Sequence, residues 1–366
     1  MPDLFGGVFS GRRVFLTGHT GFKGAWLSLW LTEMGAEVTG FALQPPTDPS
    51  LFQLAGIGDR LARHVVGDVR DRDALIAAMV QATPDIAIHM AAQPLVRLSY
   101  EQPVETLATN VMGTAHFFEA VRESVTARVA INVTSDKCYE NREIDHAYRE
   151  SDPMGGFDPY SASKGCSELV TAAYRRSFFS SETRVRVASA RAGNVIGGGD
   201  WALDRIVPDC VRALTAGESV LVRNPGAVRP WQHVLEPLSG YLLLAQRLWE
   251  PDGEECAEAW NFGPLADEGV QVHELVDGLV AAWGSGSWHA PELAVQPHEA
   301  KLLKLDCAKA RERLSWSPQW DVATTLERTA RWYGSWHADN GSAAMASIDD
   351  IDSYVTAARA SGAAWA

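Results

Sequence analysis

The sequence predicts an α/β protein built on a doubly wound parallel sheet, followed by a smaller α/β region in the C-terminal part. Short apolar runs alternate with segments of helical spacing through the first half of the chain. A glycine-rich turn joins the first strand to the first helix. Polar side chains follow the fifth strand, at the edge where ligands bind in such sheets. We therefore expect residues 1–191 to form a Rossmann domain that binds a dinucleotide. Residues 192–366 are expected to bind mainly the substrate, with some segments returning to the sheet.

Composition excludes several classes of protein. The 366 residues are 46% hydrophobic and 21% charged, which is typical of a soluble globular chain. The net charge of −14 argues against nucleic acid or an anionic membrane surface as a partner. We predict no signal peptide and no membrane span. Five scattered cysteines without a C-x-x-C pair favour the cytoplasm, and ten histidines without a ligand motif predict no bound metal.

The first strand, residues 14–17, leads into a turn with G-x-x-G-x-x-G spacing, and a helix dense in apolar residues follows. Such a turn brings backbone N–H groups and a helix N-terminus close to a pyrophosphate. An ordinary tight turn is the alternative. A Walker loop fits less well, because Lys23 precedes the last glycine. The predicted cofactor-binding residues here are Gly18, Thr20, Gly21, Phe22, Lys23 and Gly24.

The next two strands are predicted at residues 36–43 and 65–69. The end of the second strand offers neither a carboxylate for a ribose hydroxyl nor an arginine for a 2′-phosphate, so it does not decide between NAD and NADP. Asp68, followed by Val69, is positioned for the adenine amino group. A helix is predicted over residues 71–81.

The fourth strand is predicted at residues 86–92, as an apolar run suited to the centre of a parallel sheet. The strand ends in two small residues, Ala91 and Ala92, before Gln93, and these would let a cofactor lie close to the backbone. A buried strand end explains the alanines equally well. A helix over residues 105–122 carries Asn110 in its first half.

The fifth strand, residues 129–133, is followed by Ser135, Asp136 and Lys137. A solvated turn would explain these residues. The functional interpretation is that Ser135 hydrogen-bonds a substrate hydroxyl while Asp136 and Lys137 transfer protons.

Tyr160 and Lys164 lie one helical turn apart on the same face of a predicted helix that starts at Pro159. A phenol titrates near pH ~10, and a nearby ammonium favours the phenolate. Alone, the pair also fits an ordinary surface helix. Because the Tyr–Lys pair follows a predicted dinucleotide-binding sheet in the sequence, it indicates a catalytic base.

Together these residues resemble the extended short-chain dehydrogenase/reductase family. The match covers nearly the full chain and rests on five motifs in order: residues 17–24, 68–69, 91–92, 110–114 and 160–164. Within the family the chain is similar to the CDP-glucose 4,6-dehydratases. The closer match lies in residues 18–24, 134–141, 152–156, 160–166, 190–201 and 229–236.

The resemblance implies a homodimeric cytoplasmic enzyme of deoxysugar biosynthesis, with NAD in the N-terminal domain and a CDP-sugar substrate. Tyr160 would take the proton of the sugar 4-OH, and Lys164 would hold the nicotinamide ribose. Where dTDP-glucose dehydratases carry an Asp-Glu pair, this chain has Asp136-Lys137, which leaves open the base that removes the C5 proton. The alternatives are an NAD(P)-dependent epimerase or 4-reductase acting on another nucleotide sugar and, more remotely, a non-catalytic dinucleotide sensor.

The second half supplies the predicted substrate-binding residues, Asn194, Arg205 and Arg229. The two arginines are candidates to clamp a diphosphate, because guanidinium matches phosphate oxygens bidentately. A sixth strand is predicted at residues 184–191, and helices at 204–216, 235–248 and 324–336. Residues 343–366 are rich in Ala and Ser and predict a frayed helix without chemistry.

Overall fold

Seven parallel strands form the central sheet in a computed structural model that describes residues 1–179, 183–264, 269–290, 302–339 and 342–366. The strands are β1 (Arg13–Thr17), β2 (Glu37–Ala42), β3 (Arg63–Val66), β4 (Ile86–His89), β5 (Val129–Val133), β6 (Arg186–Ala192) and β7 (Ala259–Phe262). Their order across the sheet is β7-β6-β5-β4-β1-β2-β3. The winding direction therefore changes between β1 and β4, and the predicted doubly wound sheet is confirmed.

The longer helices connect these strands and extend beyond them. They are α1 (Phe22–Glu33), α2 (Arg72–Ala82), α3 (Gly113–Glu123), α4 (Pro159–Phe178), α5 (Ile206–Ala216), α6 (Leu235–Trp249), α7 (Val272–Trp283), α8 (Val322–Ala338) and α9 (Ala343–Ser361). Short helical segments span Leu51–Leu54, Ile57–Arg60, Val96–Glu101 and Pro103–Leu107. Aspartate side chains cap α2, α4 and α8 by accepting hydrogen bonds from first-turn amides.

Both faces of the sheet are covered by apolar layers, as parallel sheets require. Successive residues of β1 point to opposite faces, so Phe15 joins a cluster with α2 and α3 while Val14 and Leu16 join the other. The second layer contains α1, α6 and α9, with Trp26 and Trp30 fully buried. This packing fixes the carboxyl ends of the strands, where the site lies.

Pairs of two-residue strands organise the part of the C-terminal half that lies outside the central sheet. Val195–Ile196 pairs with Gln232–His233, and Val228–Arg229 pairs with Val270–Gln271. Trp288–His289 pairs with Val220–Leu221, and Lys304–Leu305 pairs with Ala147–Tyr148. The first two pairs place the segments around Asn194 and Arg229 beside the sheet.

The structure differs from the sequence prediction in several elements. The single helix expected over residues 105–122 is divided into Pro103–Leu107, a π-helical turn at Ala108–Met112, and α3. Asn110 in that turn is buried and its side chain bonds Gln93 and Ser163, so tertiary contacts set the geometry there. The sequence analysis did not predict α7 as a helix or β7 as a strand.

The predicted frayed helix at the C-terminus was wrong. α9 is a continuous helix with Ile351 and Tyr354 fully buried, and Trp365 beyond it is 2% exposed. The Trp365 ring stacks on Phe5, with centroids 4.9 Å apart. A few large side chains therefore order a segment whose composition is otherwise small and polar.

Candidate active site

The glycine-rich turn between β1 and α1 can hold a pyrophosphate. Gly18 has a φ of +77°, and a Cβ there would lie 2.7 Å from the Ala91 backbone nitrogen. A Cβ at Gly24 would lie 2.1 Å from the Gly18 oxygen, so only glycine fits. Gly21 caps α1 without a side-chain hydrogen bond, and this leaves the first amides of the helix for a phosphate. These residues fit a dinucleotide.

Thr20 and Lys23 extend from this turn in different directions. Thr20 is buried and donates a hydrogen bond to the Leu43 carbonyl at 2.9 Å, which ties the turn to the end of β2. Lys23 is half-buried, like Phe22, and its Nζ lies 5.8 Å from the centre of the Tyr241 ring. Burial, together with the charges of Arg205 and Lys164, lowers the pKa of Lys23 to about 7, although the charge of Asp136 opposes this shift. Lys23 therefore faces the catalytic groups.

A hydrogen-bonded junction forms where the sheet changes direction. Thr17 Oγ1 lies 2.8 Å from His89 Nδ1 and accepts bonds from the Met90 and Ala91 amides. Ala91 and Ala92, directly after Met90 in the chain, are half-buried. The Gln93 backbone N–H donates to Asn110 Oδ1 at 2.8 Å, and Asn110 Nδ2 donates to the Ser163 hydroxyl at 2.8 Å. The predicted cofactor residues after β4 are thus linked to α4.

Asp68 and Val69 follow β3 instead of belonging to it. The Asp68 carboxylate lies 2.6 Å from Arg70, whose hydrogen bond lowers the pKa of Asp68. Val69 is buried, and a Cβ on Gly113 would lie 2.8 Å from its side chain. The adenine contact of Asp68 stays a prediction.

The catalytic turn, residues 134–139, follows β5 and contains a short 3-10 helix at Asp136–Cys138. Ser135 is buried and donates to Asp136 Oδ1 at 2.9 Å, while it accepts from the Lys137 amide at 3.2 Å. Lys137 is half-buried. Burial raises the pKa of Asp136, although the charges of Lys137, Arg229 and Lys23 oppose it. Asp136 Oδ2 is buried and has no hydrogen-bond partner among the described residues, so this oxygen is available to a bound substrate.

Tyr160 and Lys164 lie in the first turns of α4 and are 8% and 6% exposed. Burial raises the pKa of Tyr160 to about 12, while the Ser135 side chain and the Arg205 charge lower it. Burial lowers the pKa of Lys164 to about 8, and its Nζ donates to the Val133 carbonyl at 3.5 Å. The charge of Arg205 opposes part of this rise in the pKa of Tyr160. Acidification by Lys164 remains a prediction.

The predicted substrate residues surround the same groups. Arg229 is 8% exposed, and its charge lowers the pKa of Asp136. Arg205 precedes α5 and pairs with Asp200 at 2.9 Å. The Asn194 carbonyl accepts from the Gln232 amide. Beside it, a Cβ on Gly193 would lie 3.1 Å from Asp136 Oδ2.

Comparison with known proteins decides the family. The family profile described as GDP-mannose 4,6 dehydratase matches residues 15–329. CDP-glucose 4,6-dehydratase of Salmonella typhimurium is 53% identical, over 90% of this chain and 92% of that protein. The dTDP-glucose 4,6-dehydratase of Streptomyces antibioticus is 30% identical, over 75% and 77%. The chain belongs to the nucleotide-sugar 4,6-dehydratases of the extended short-chain dehydrogenase/reductase family.

A solved dehydratase structure has the same fold. The dTDP-glucose 4,6-dehydratase of Streptomyces venezuelae, crystallised with NAD, superposes with a TM-score of 0.74 at 25% identity. The match covers 89% of this chain and 98% of that one. Within the described part of this dehydratase, no helix has the length and apolarity to cross a membrane. No cluster of three or more His, Cys, Asp or Glu in that part could hold a metal.

Two features of this dehydratase site escaped the sequence analysis. Tyr241 on α6 is fully buried beneath Lys23, and its hydroxyl has no partner among the described residues. Nothing in the sequence around Tyr241 signals this position. Glu168 on α4 is buried next to Lys164 and pairs with Arg191. The spacing of four residues between Lys164 and Glu168 was the sequence signal that could have identified Glu168.

Proposed function

We propose that this protein converts CDP-D-glucose to CDP-4-keto-6-deoxy-D-glucose, a step of deoxysugar biosynthesis, with NAD as cofactor. The proposal rests on one observation: the residues for redox chemistry and the residue for dehydration lie in the same buried site. Tyr160 and Lys164 supply the redox chemistry, and the Asp136 carboxyl supplies an acid for dehydration. The 53% identity to a CDP-glucose 4,6-dehydratase supports this choice of substrate.

Bound NAD would supply the hydride acceptor for oxidation at C4 and the hydride donor for reduction at C6. The first-turn amides of α1 and the glycine-rich turn would hold its diphosphate. Lys164 would hold the nicotinamide ribose, and Asp68 would contact the adenine. Residues 1–191 thus bind the dinucleotide in this proposal, and residues 192–366 bind mainly the substrate.

Proton transfers are assigned to the catalytic turn and α4. Tyr160, as the phenolate, takes the proton of the 4-OH, directly or through Ser135, as the C4 hydride leaves. The resulting 4-keto group acidifies the C5–H, and Lys137, in its neutral amine form, removes that proton. Asp136 protonates the departing 6-OH, a role that suits a buried carboxyl with a raised pKa.

Recognition of the CDP part is assigned to the C-terminal half. Arg205 and Arg229 would bind the diphosphate through charge-assisted hydrogen bonds, and Asn194 would contact the substrate. Both arginines already act on catalytic groups, since the charge of Arg205 opposes the rise in the pKa of Tyr160 and the charge of Arg229 opposes that of Asp136. A bound diphosphate would therefore lie next to the reacting sugar.

The proposal is tested by incubation with CDP-glucose and NAD without added reductant, followed by the alkaline absorbance of a 4-keto product. A panel of other nucleoside-diphosphate glucoses tests the base. Tyr160→Phe should abolish turnover while the circular dichroism spectrum is unchanged. Near-normal activity of Tyr160→Phe would refute the assignment, and preference for another base would refute the substrate.

Homodimer formation in the cytoplasm is a further part of the proposal. Large apolar side chains are exposed on the neighbouring segments Pro103–Leu107 and α4, where Val104 is 74% and Leu169 is 59% exposed. Such a patch on two adjacent helices is typical of an interface. All five cysteines are unpaired, which supports a reducing compartment. A monomeric mass in sedimentation equilibrium would contradict the dimer.

A further inference from the structure

A buried ion pair lies beneath the catalytic turn and takes no part in the proton transfers proposed above. Glu168 on α4 and Arg191 on β6 are each 4% exposed, and Arg191 NH2 lies 2.8 Å from Glu168 Oε2. Burying two charges is costly unless their remaining atoms are hydrogen-bonded. The hydrogen-bond partners of the two side chains therefore indicate what the pair does.

The Glu168 carboxylate binds the start of the catalytic turn. Its Oε1 accepts a hydrogen bond from the Thr134 hydroxyl at 2.5 Å, and its Oε2 accepts one from Ser189 at 2.7 Å. Thr134 comes directly before Ser135. Because Ser189 belongs to β6, the carboxylate joins the turn to the neighbouring strand of the sheet.

The Arg191 guanidinium binds the other end of the turn. Its NH1 donates to the Tyr139 hydroxyl at 2.7 Å, and Tyr139 in turn donates to Asn261 Oδ1 at 2.7 Å. Tyr139 directly follows the 3-10 helix at Asp136–Cys138. One ion pair thus anchors Thr134 and Tyr139, the residues on either side of the segment Ser135–Cys138.

Helical spacing places Glu168 on the same face of α4 as the redox residues. Tyr160, Lys164 and Glu168 follow one another at intervals of four, so they line one face of α4. We propose that Glu168, paired with Arg191, is a positioning residue that holds both ends of the catalytic turn, and with them Ser135 and Asp136, in place for the dehydration. The inference rests on the proposed function for its chemistry, and its geometry is independent of the substrate.

Matched variants test the proposal. Glu168→Gln removes the charge, Thr134→Val removes only the hydroxyl, and Thr134→Ser keeps it. Glu258→Gln is the control, because it neutralises a carboxylate that is half-exposed and pairs with Lys309 and Arg313. We expect kcat for CDP-glucose to fall about tenfold or more in Glu168→Gln and Thr134→Val, with KM within about threefold of wild type. Thr134→Ser and Glu258→Gln should behave as wild type.

Hydrogen–deuterium exchange of the protein without substrate supplies a readout independent of activity. Exchange should rise in the peptide covering residues 134–139 in Glu168→Gln and Thr134→Val, while α6 stays protected. Unchanged exchange and kcat would overturn the proposal, and so would faster exchange throughout the chain, which indicates a general loss of stability. A wild-type protein inactive on CDP-glucose would refute the proposed function alone, because the exchange result still decides this inference.

Discussion

Replacing Asp136 by asparagine should separate oxidation of the sugar from its dehydration. Asp136 is 2% exposed and its Oδ1 accepts the Ser135 hydroxyl, an interaction that an amide oxygen can retain. The substitution removes the acidic proton without leaving a cavity. Tyr160 and Lys164 are untouched, so the C4 oxidation should proceed and the departing 6-OH should lack its acid.

The expected magnitudes differ for activity and stability. Loss of a positioned general acid costs roughly 10²–10⁴-fold in kcat, or about 3–5 kcal/mol. Stability should not fall. Because burial raises the pKa of Asp136, the folded state binds its proton more tightly than the unfolded state does. That contribution is present at low pH and is lost as pH rises through the folded-state pKa. A neutral amide avoids this loss, so the melting temperature at neutral pH should equal or exceed that of wild type.

A stopped-flow experiment with CDP-glucose measures both steps. Asp136→Asn should give a burst of reduced-dinucleotide absorbance that persists, with little 4-keto-6-deoxy product. Asp145→Asn is the matched control, because its carboxylate is exposed and pairs with Lys304 at the surface. It should behave as wild type. Normal product formation by Asp136→Asn would refute the assignment of Asp136 as the acid, and absence of the burst would refute the separation of the two steps.

Four further outcomes follow from the site and the surface. Lys137→Met should slow exchange of the C5 hydrogen with deuterated solvent, measured by NMR, if Lys137 is the base; unchanged exchange would assign another base. Activity should decline as pH rises through about 8, where Lys164 loses its proton, and a flat kcat profile to pH 10 would contradict this. Arg229→Gln should raise KM for CDP-glucose roughly tenfold, since a charge-assisted contact is lost, and an unchanged KM would remove Arg229 from the substrate site. Leu169→Arg should yield monomers by sedimentation, and a persistent dimer would place the interface elsewhere.

The fold was predictable from the sequence where its signals are local. The glycine-rich turn and the alternation of strands with helices are read within short windows, and the sheet formed by β1–β6 follows from them. β7 was not predicted, because its four residues resemble other short apolar runs and become a strand only by pairing with β6. α9 was judged by its Ala and Ser content, whereas Tyr354 and Trp365 order it through contacts with distant segments.

The candidate site was likewise predictable only where its residues have a local sequence pattern. Tyr160, Lys164 and the Ser135–Lys137 run have recognisable spacing, and the structure gathers them at the edge of β5 and α4. The position of Lys23 over Tyr241 depends on how α1 packs against α6, which no local pattern specifies. The Glu168–Arg191 pair depends on the contact between α4 and β6. Sequence reasoning thus found the reacting groups and missed those that set their environment.

Isotope transfer tests the central claim most directly. CDP-glucose carrying deuterium at C4 is incubated with the protein and a catalytic amount of NAD, and the product is examined by NMR. Internal hydride transfer predicts that the label appears in the C6 methyl group of a 4-keto product. Label returned to C4 would identify an epimerase, and a reaction that requires stoichiometric reductant would identify a reductase. Either result would contradict the dehydratase account.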